Sequence, residues 1–174
     1  MTVDQVKKAE QFTVEMVRSD KQVYAKESPL AIAKTINGLR AMFGETYPDP
    51  VRVVCAGIPI QELEKNPQAL TGFQTSVEFC GGTHLHRTSH IGDFVIVSEE
   101  AIAKGIRRIV ALTGPEASKA LKKADLLQRD LIEIKHTVES FDQTSSNTKE
   151  IVKKIVELTS DISHATIPYW RKVF

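Results

Sequence analysis

Ser76-Val77-Glu78-Phe79-Cys80-Gly81-Gly82-Thr83-His84 decides how this chain of 174 residues is read. From Thr75 to Phe79 apolar and polar side chains alternate, the period of a half-buried strand. The strand runs into Cys80, two glycines, a hydroxyl and then His84. Cys and His are both zinc-binding side chains once deprotonated. Gly81 and Gly82 leave the backbone free to turn, so that both side chains can address one point.

Outward from this stretch, the pattern alternates between strands and helices. Val51 to Ala56 is a nearly continuous apolar run broken by Arg52 and bounded by Pro50 and Gly57, which predicts a buried strand. Asp93 to Ser98 and Arg107 to Thr113 predict two more, with a short helix or turn over Glu99 to Lys104 between them. Upstream, Thr2 to Arg18 reads as a helix and Val23-Tyr24-Ala25 as a short strand. Ser28-Pro29 reads as the capped start of a second helix carrying Leu30, Ile32, Ala33, Ile36 and Leu39. One helical turn is expected at Gln61 to Lys65. Gly114-Pro115 opens a different regime. From Glu116 to about Phe141, Ala117, Ala120, Leu121, Ala124, Leu127, Leu131 and Ile134 recur at threes and fours, the stripe of an amphipathic helix. Gln143 to Asn147 is a polar break. Lys149 to Leu158 is helical again, with Ile151, Val152, Ile155 and Leu158 on one face. The fold class is therefore α+β: a small, mostly antiparallel sheet with packed helices, followed by an α-helical hairpin or coiled arm.

Cys-Gly-Gly-Thr-His after a strand is followed by Gly92-Asp93-Phe94-Val95-Ile96-Val97, Gly105-Ile106-Arg107-Arg108-Ile109 and Leu112-Thr113-Gly114. Together these resemble the editing domain of alanyl-tRNA synthetases, which is related to the second additional domain of threonyl-tRNA synthetases. Met42-Phe43-Gly44-Glu45-Thr46-Tyr47-Pro48-Asp49-Pro50-Val51-Arg52-Val53-Val54 is similar to the eukaryotic branch of that family. The resemblance is strong up to Gly114 and weaker toward Ile167-Pro168-Tyr169-Trp170. It implies that residues 1–114 are the later part of an editing domain, and that 115–174 are a helical linker arm toward a C-terminal domain.

The resemblance also implies chemistry. In the family, zinc is held by an upstream His-x-x-x-His pair and by the Cys-x-x-x-His pair that here is Cys80 and His84. No His precedes His84 in this chain. The zinc site is thus expected to be incomplete here, and the ATP and magnesium sites belong to an aminoacylation domain that the resemblance does not cover. The implied reaction is hydrolysis of the ester that joins serine or glycine to the alanine tRNA. A synthetic site that admits alanine cannot strongly exclude glycine or serine, and a second, hydrolytic sieve corrects the error. The implied parent attaches alanine to tRNA with ATP. Its partners are the tRNA acceptor end and its own remaining domains, and its compartment is the cytoplasm or, alternatively, the mitochondrion. Two further readings stand beside this one: an inactive tRNA-binding or structural half-domain, and a freestanding trans-editing deacylase.

Around the motif, each residue has a plainer role to weigh. Thr83 and the N–H groups of Gly81 and Gly82 can bind a substrate carbonyl or amine, or simply make a turn. His86 and His90 form an H-x-x-x-H of their own beside Cys80 and His84, but His90 needs a tight loop to return, and the expectation is against a local four-ligand site. Adjacent strand residues point to opposite faces, so one of Arg107 and Arg108 can meet the tRNA terminus while the other is a surface group. Lys119, Lys122, Lys123 and Arg129 either contact tRNA or are solvated. Cys55 is a core residue, and Trp170 is expected to pack on a partner domain.

Composition narrows the class. Hydrophobic residues make up 41% and charged residues 26% of the chain, as in water-soluble globular proteins. The net charge of +1 means that any tRNA contact depends on local patches. Two distant cysteines make no disulfide framework and suit a reducing compartment. No run approaches a membrane span or the apolar core of a signal peptide. Exposure of the helical arm's stripe predicts self-association.

Overall fold

The computed structural model describes residues 1–42, 44–140 and 148–172. By contact the chain forms two compact units, residues 15–91 and residues 1–14 with 92–174. This is a grouping by packing, whereas the division at 114 follows the resemblance. Helix α1 (Val3–Arg18) contributes its first turns to one unit and its last to the other. The architecture is α+β.

In the unit of residues 15–91, strands β1 (Val23–Ser28), β2 (Leu39–Arg40), β3 (Val51–Ala56) and β4 (Val77–Phe79) form one sheet in the order β1-β3-β4-β2. The β1–β3 and β3–β4 pairs are antiparallel and β2–β4 is parallel. The apolar run predicted at 51–56 is the strand observed. Val51, Val53 and Cys55 from β3 join Val77, Ala33, Ile36, Ile60 and Leu63 in a core covered by helices α2 (Leu30–Ala33) and α3 (Ile60–Lys65). Burial pushes the Cys55 thiol pKa up, as befits an inert core position. Gly38 and Gly72 are required by close approach. A Cβ at Gly38 (φ +78°) would stand 2.4 Å from the Gly72 carbonyl oxygen, and one at Gly72 would stand 1.9 Å from that of Asn37.

The second helix differs from the sequence expectation. It covers only Leu30–Ala33, with Pro29 rather than Ser28 at the cap position and no side-chain cap bond. Ser28 is fully buried, and its hydroxyl donates to Glu64 of α3, which also pairs with Lys26. Its cap chemistry is thus taken by a tertiary partner. Leu39 lies in β2, paired in parallel with Val77.

In the other unit, β5 (Phe94–Ala103) and β6 (Ile106–Thr113) form a long antiparallel hairpin that turns at Gly105, φ +80°. The short helix or turn expected over Glu99 to Lys104 is instead strand as far as Ala103. Cross-strand pairing with Ile109, Arg108 and Arg107 holds it extended. Helix α4 (Gly114–Glu139) starts with Pro115 in its first turn, as predicted, and α5 (Thr148–His164) follows. The polar break at Gln143 to Asn147 lies outside the described residues. Val95 packs on Ala117 and Ala120, while Ala124, Leu127, Leu158, Ile162 and Ile167 close the helical hairpin.

Trp170 is accounted for within its own unit. Its indole N–H donates to Glu10 Oε1 at 2.7 Å, and Lys7 Nζ lies 4.3 Å from the ring centroid. Glu10 Oε2 accepts from the Ile96 backbone N–H at 2.7 Å. No described helix is long and apolar enough to cross a membrane.

Candidate functional site

Strand β4 delivers Cys80 to the end of the four-stranded sheet. Val77 and Phe79 point into the core, and alternation sends Glu78 to the other face. By the same rule, Arg52 and Val54 of β3 oppose Val51, Val53 and Cys55, and Val54 is registered with Glu78. The Cys80 N–H donates to the Arg52 carbonyl at 3.2 Å, extending the β3–β4 pairing by one bond.

The Arg52 side chain then gathers the loop. Its Nη1 donates to the Cys80 carbonyl and to the Gly82 carbonyl, each at 2.7 Å, and lies 3.5 Å from His84 Nδ1. Two hydrogens serve Nη1, so the carbonyls are its main partners and the imidazole stands at the margin of hydrogen bonding. Peptide planarity points the N–H groups of Gly81 and Thr83 away from the guanidinium. Among the described residues neither has a hydrogen-bond partner. In the sequence Arg52 interrupts an apolar run, and nothing local says that it reaches the Cys80 loop. A charged residue inside a core strand is the signal that could have marked it.

Cys80 and His84 are half-buried, while Gly81, Gly82 and Thr83 are exposed. Cys80 is a free thiol. The two glycines are not needed for left-handed backbone, since neither has a positive φ. A Cβ at Gly81 would meet nothing within 4 Å, and one at Gly82 would lie 3.6 Å from Cys80 Sγ. Their value in this structure is the open face they leave beside the thiol.

His86 and His90 belong to the next ribbon. The His86 carbonyl accepts from Val23 N–H at 2.9 Å, and Thr88 N–H donates to the Lys21 carbonyl at 2.8 Å. Buried Thr88 also donates its hydroxyl to the Met16 carbonyl at 2.9 Å. Arg87 Nε donates to Asp20 Oδ1 at 2.8 Å, and Ser89 donates to the same carboxylate. Those two donors pull the Asp20 pKa down to about 2. Among the described residues no group of three or more His, Cys, Asp and Glu side chains is gathered around a metal position. Cys80 and His84 suit zinc by donor type, but two ligands do not fill its usual set of three or four protein donors.

Arg107 and Arg108 lie on β6, in the other unit. Arg107 pairs with the buried Glu99 carboxylate, and its guanidinium holds that carboxyl below the ordinary range. Arg108 is exposed. On α4, Lys119 pairs with Glu116 at 2.8 Å, while Lys122 and Lys123 are exposed.

Residues 51–110 match the family model described as the threonyl and alanyl tRNA synthetase second additional domain. The chain is 61% identical over 172 residues to the cytoplasmic alanine–tRNA ligase of Drosophila melanogaster, covering 99% of this chain and 18% of that protein. It is 57% identical to the cytoplasmic alanine–tRNA ligase of Bombyx mori, with the same coverage of 99% and 18%. The mitochondrial alanine–tRNA ligase of Saccharomyces cerevisiae is 52% identical over 128 residues, 74% of this chain and 13% of that protein. The chain thus spans about a fifth of the length of the curated relatives it matches. No solved structure matches it.

Proposed function

We propose that this chain works as part of an alanine–tRNA ligase, in hydrolysis of seryl or glycyl esters of the alanine tRNA, because residues 51–110 match the threonyl and alanyl tRNA synthetase second additional domain and the chain is similar to a segment of eukaryotic alanine–tRNA ligases. The observation that carries the reading is the position of the Cys80–His84 loop. It falls inside the stretch matched by the second-additional-domain model, at the end of the inner strand β4 with an open face beside the thiol. On this reading the parent attaches alanine to tRNA, acts in the cytoplasm, and corrects its own errors at this site.

Cys80 and His84 would hold a zinc ion, and the rest of its ligand set would come from outside the described residues. Zinc bound there would supply Lewis acidity toward water or an acyl carbonyl. The chain's own residues do the rest. Gly81 and Gly82 keep side chains out of the approach to the thiol. The outward N–H groups of Gly81 and Thr83 and the Thr83 hydroxyl offer hydrogen bonds to the amino-acid moiety. The exposed Lys122 and Lys123 of α4 are available to the tRNA backbone. A second reading, a tRNA-binding or structural half-domain without activity by itself, is favoured by the two-ligand count among the described residues.

The test is Cys80→Ala in the full-length parent. Deacylation of seryl-tRNA is expected to be lost while alanine attachment is retained. Equal loss of both activities, or retained deacylation, would overturn the reading. Metal analysis of the present chain separates the two versions: about one zinc per chain together with deacylation favours a site completed locally or by a partner, and neither favours the half-domain.

A further inference from the structure

Among the described residues four charges of the sheet make no salt bridge, Glu27, Arg40, Arg52 and Glu78, and Arg52 is the one that reaches the Cys80 loop. Arg52 is half-buried on β3, yet among the described residues it makes no salt bridge. Its guanidinium is spent on the Cys80 and Gly82 carbonyls, with His84 Nδ1 beyond them. Placing a cation inside an apolar strand costs desolvation, and two neutral carbonyls offset it less well than a carboxylate would.

The contacts span the loop in a specific way. Backbone pairing from Arg52 fixes the first residue, Cys80, by its N–H. The side chain of the same residue fixes that peptide's carbonyl and the carbonyl two residues on. Gly81 and Gly82 carry no side chain that could order the backbone between these points, and a Cβ at Gly81 would touch nothing. Among the described residues the contacts that tie this loop backbone to β3 are therefore those made by Arg52.

We propose that Arg52 is the positioning residue of the Cys80–His84 loop: its guanidinium holds the two carbonyls so that the thiol and the imidazole keep one fixed spacing. A rigid fork can do this, and a single flexible ammonium can do it only in part. The role in ester hydrolysis rests on the function proposed above, whereas the role in ordering the loop does not.

The ordering is read by NMR on this chain, without metal or tRNA. The wild-type protein should show a slowly rotating, resolved Arg52 guanidinium, and rigid amides at Gly81, Gly82 and Thr83, with order parameters near about 0.85. In Arg52→Gln those amides should fall below about 0.6 while the Val53 and Val77 amides stay protected. Arg52→Lys should lie between. A freely rotating guanidinium in the wild type, or an equally rigid loop in Arg52→Gln, would overturn the proposal. If Arg52→Gln does not fold, the wild-type guanidinium and Arg52→Lys still decide.

In the full-length parent, Arg52→Gln should lower kcat for seryl-tRNA deacylation about 10–100-fold with little change in KM, and Arg52→Lys should recover part of it. An unchanged kcat would overturn the catalytic extension. A loop that loosens in Arg52→Gln while Cys80→Ala leaves deacylation intact would sink the proposed function and spare the positioning role. A loop that stays rigid while Cys80→Ala abolishes deacylation would do the reverse.

Discussion

Three residues of the unit 15–91 show how polar side chains, once folded, take jobs that their neighbours in sequence do not reveal. Arg52 breaks an apolar run and ends up holding a loop far along the chain. Ser28 has the look of a helix cap and instead serves Glu64. Asp20 accepts from Arg87 and Ser89, so its carboxylate is stabilised in the folded state. Its pKa is drawn from the ordinary carboxylate range down to about 2, chiefly by the Arg87 hydrogen bond and then by Ser89, with Arg87 charge and His90 adding to it. A lowered folded-state pKa means that this contribution to stability is complete above the ordinary range and is lost as pH falls through about 2. The Asp20 carboxyl followed by NMR should therefore titrate near that value. In Arg87→Ala it should move up toward the ordinary range, and an unmoved midpoint would contradict the assignment.

At the scale of elements, the strands that carry buried apolar runs formed as their periodicity predicts, and the segments that deviated did so for tertiary reasons. The residues after Ser98 lack a strand pattern of their own and extend because β6 pairs with them. The helix after Pro29 stops at Ala33 because the following residues are drawn toward Pro67 and Gln68, where Asn37 makes two hydrogen bonds at 2.8 and 2.7 Å. Glu10 is the clearest case of one residue tying elements together. From α1 it accepts the Ile96 N–H of β5 and the Trp170 indole near the C-terminal end. Glu10→Ala leaves both donors unsatisfied, and a buried donor without a partner costs about 1–3 kcal/mol. Urea unfolding followed by Trp170 fluorescence should show a loss of that order for Glu10→Ala, and a variant as stable as the wild type would show that water replaces the carboxylate at no cost.

For the molecule as a whole, each compact unit has a closed core and large apolar side chains left in the open, Leu70 and Phe73 in the unit 15–91 among them. The unit of residues 15–91 closes a core around β3. In the other unit the helical hairpin packs through Ala124, Leu127, Leu158 and Ile162, whereas Ile132 and Val138 of α4 and Val152 and Val156 of α5 are exposed. Of the stripe predicted along α5, Val152 is 53% and Ile155 40% exposed, and Leu158 is buried. Apolar surface left open in this way favours association. Sedimentation equilibrium of the chain should show concentration-dependent self-association that weakens in Val152→Glu and Val156→Glu. A monomer at every concentration would rule it out.

The α+β class, the buried strand at 51–56, the long helix from Pro115 and the Cys80–His84 motif were all legible in the sequence. Apolar period, turn residues and side-chain chemistry are local properties, and each of these features is built from neighbours along the chain. The partners of Arg52, Glu10 and Ser28, the extension of β5 and the exposure of Val152 and Val156 on α5 were decided only by tertiary structure. A hydrogen bond or a buried face depends on which distant group arrives opposite it, and that is set by packing of the whole chain rather than by any window of it.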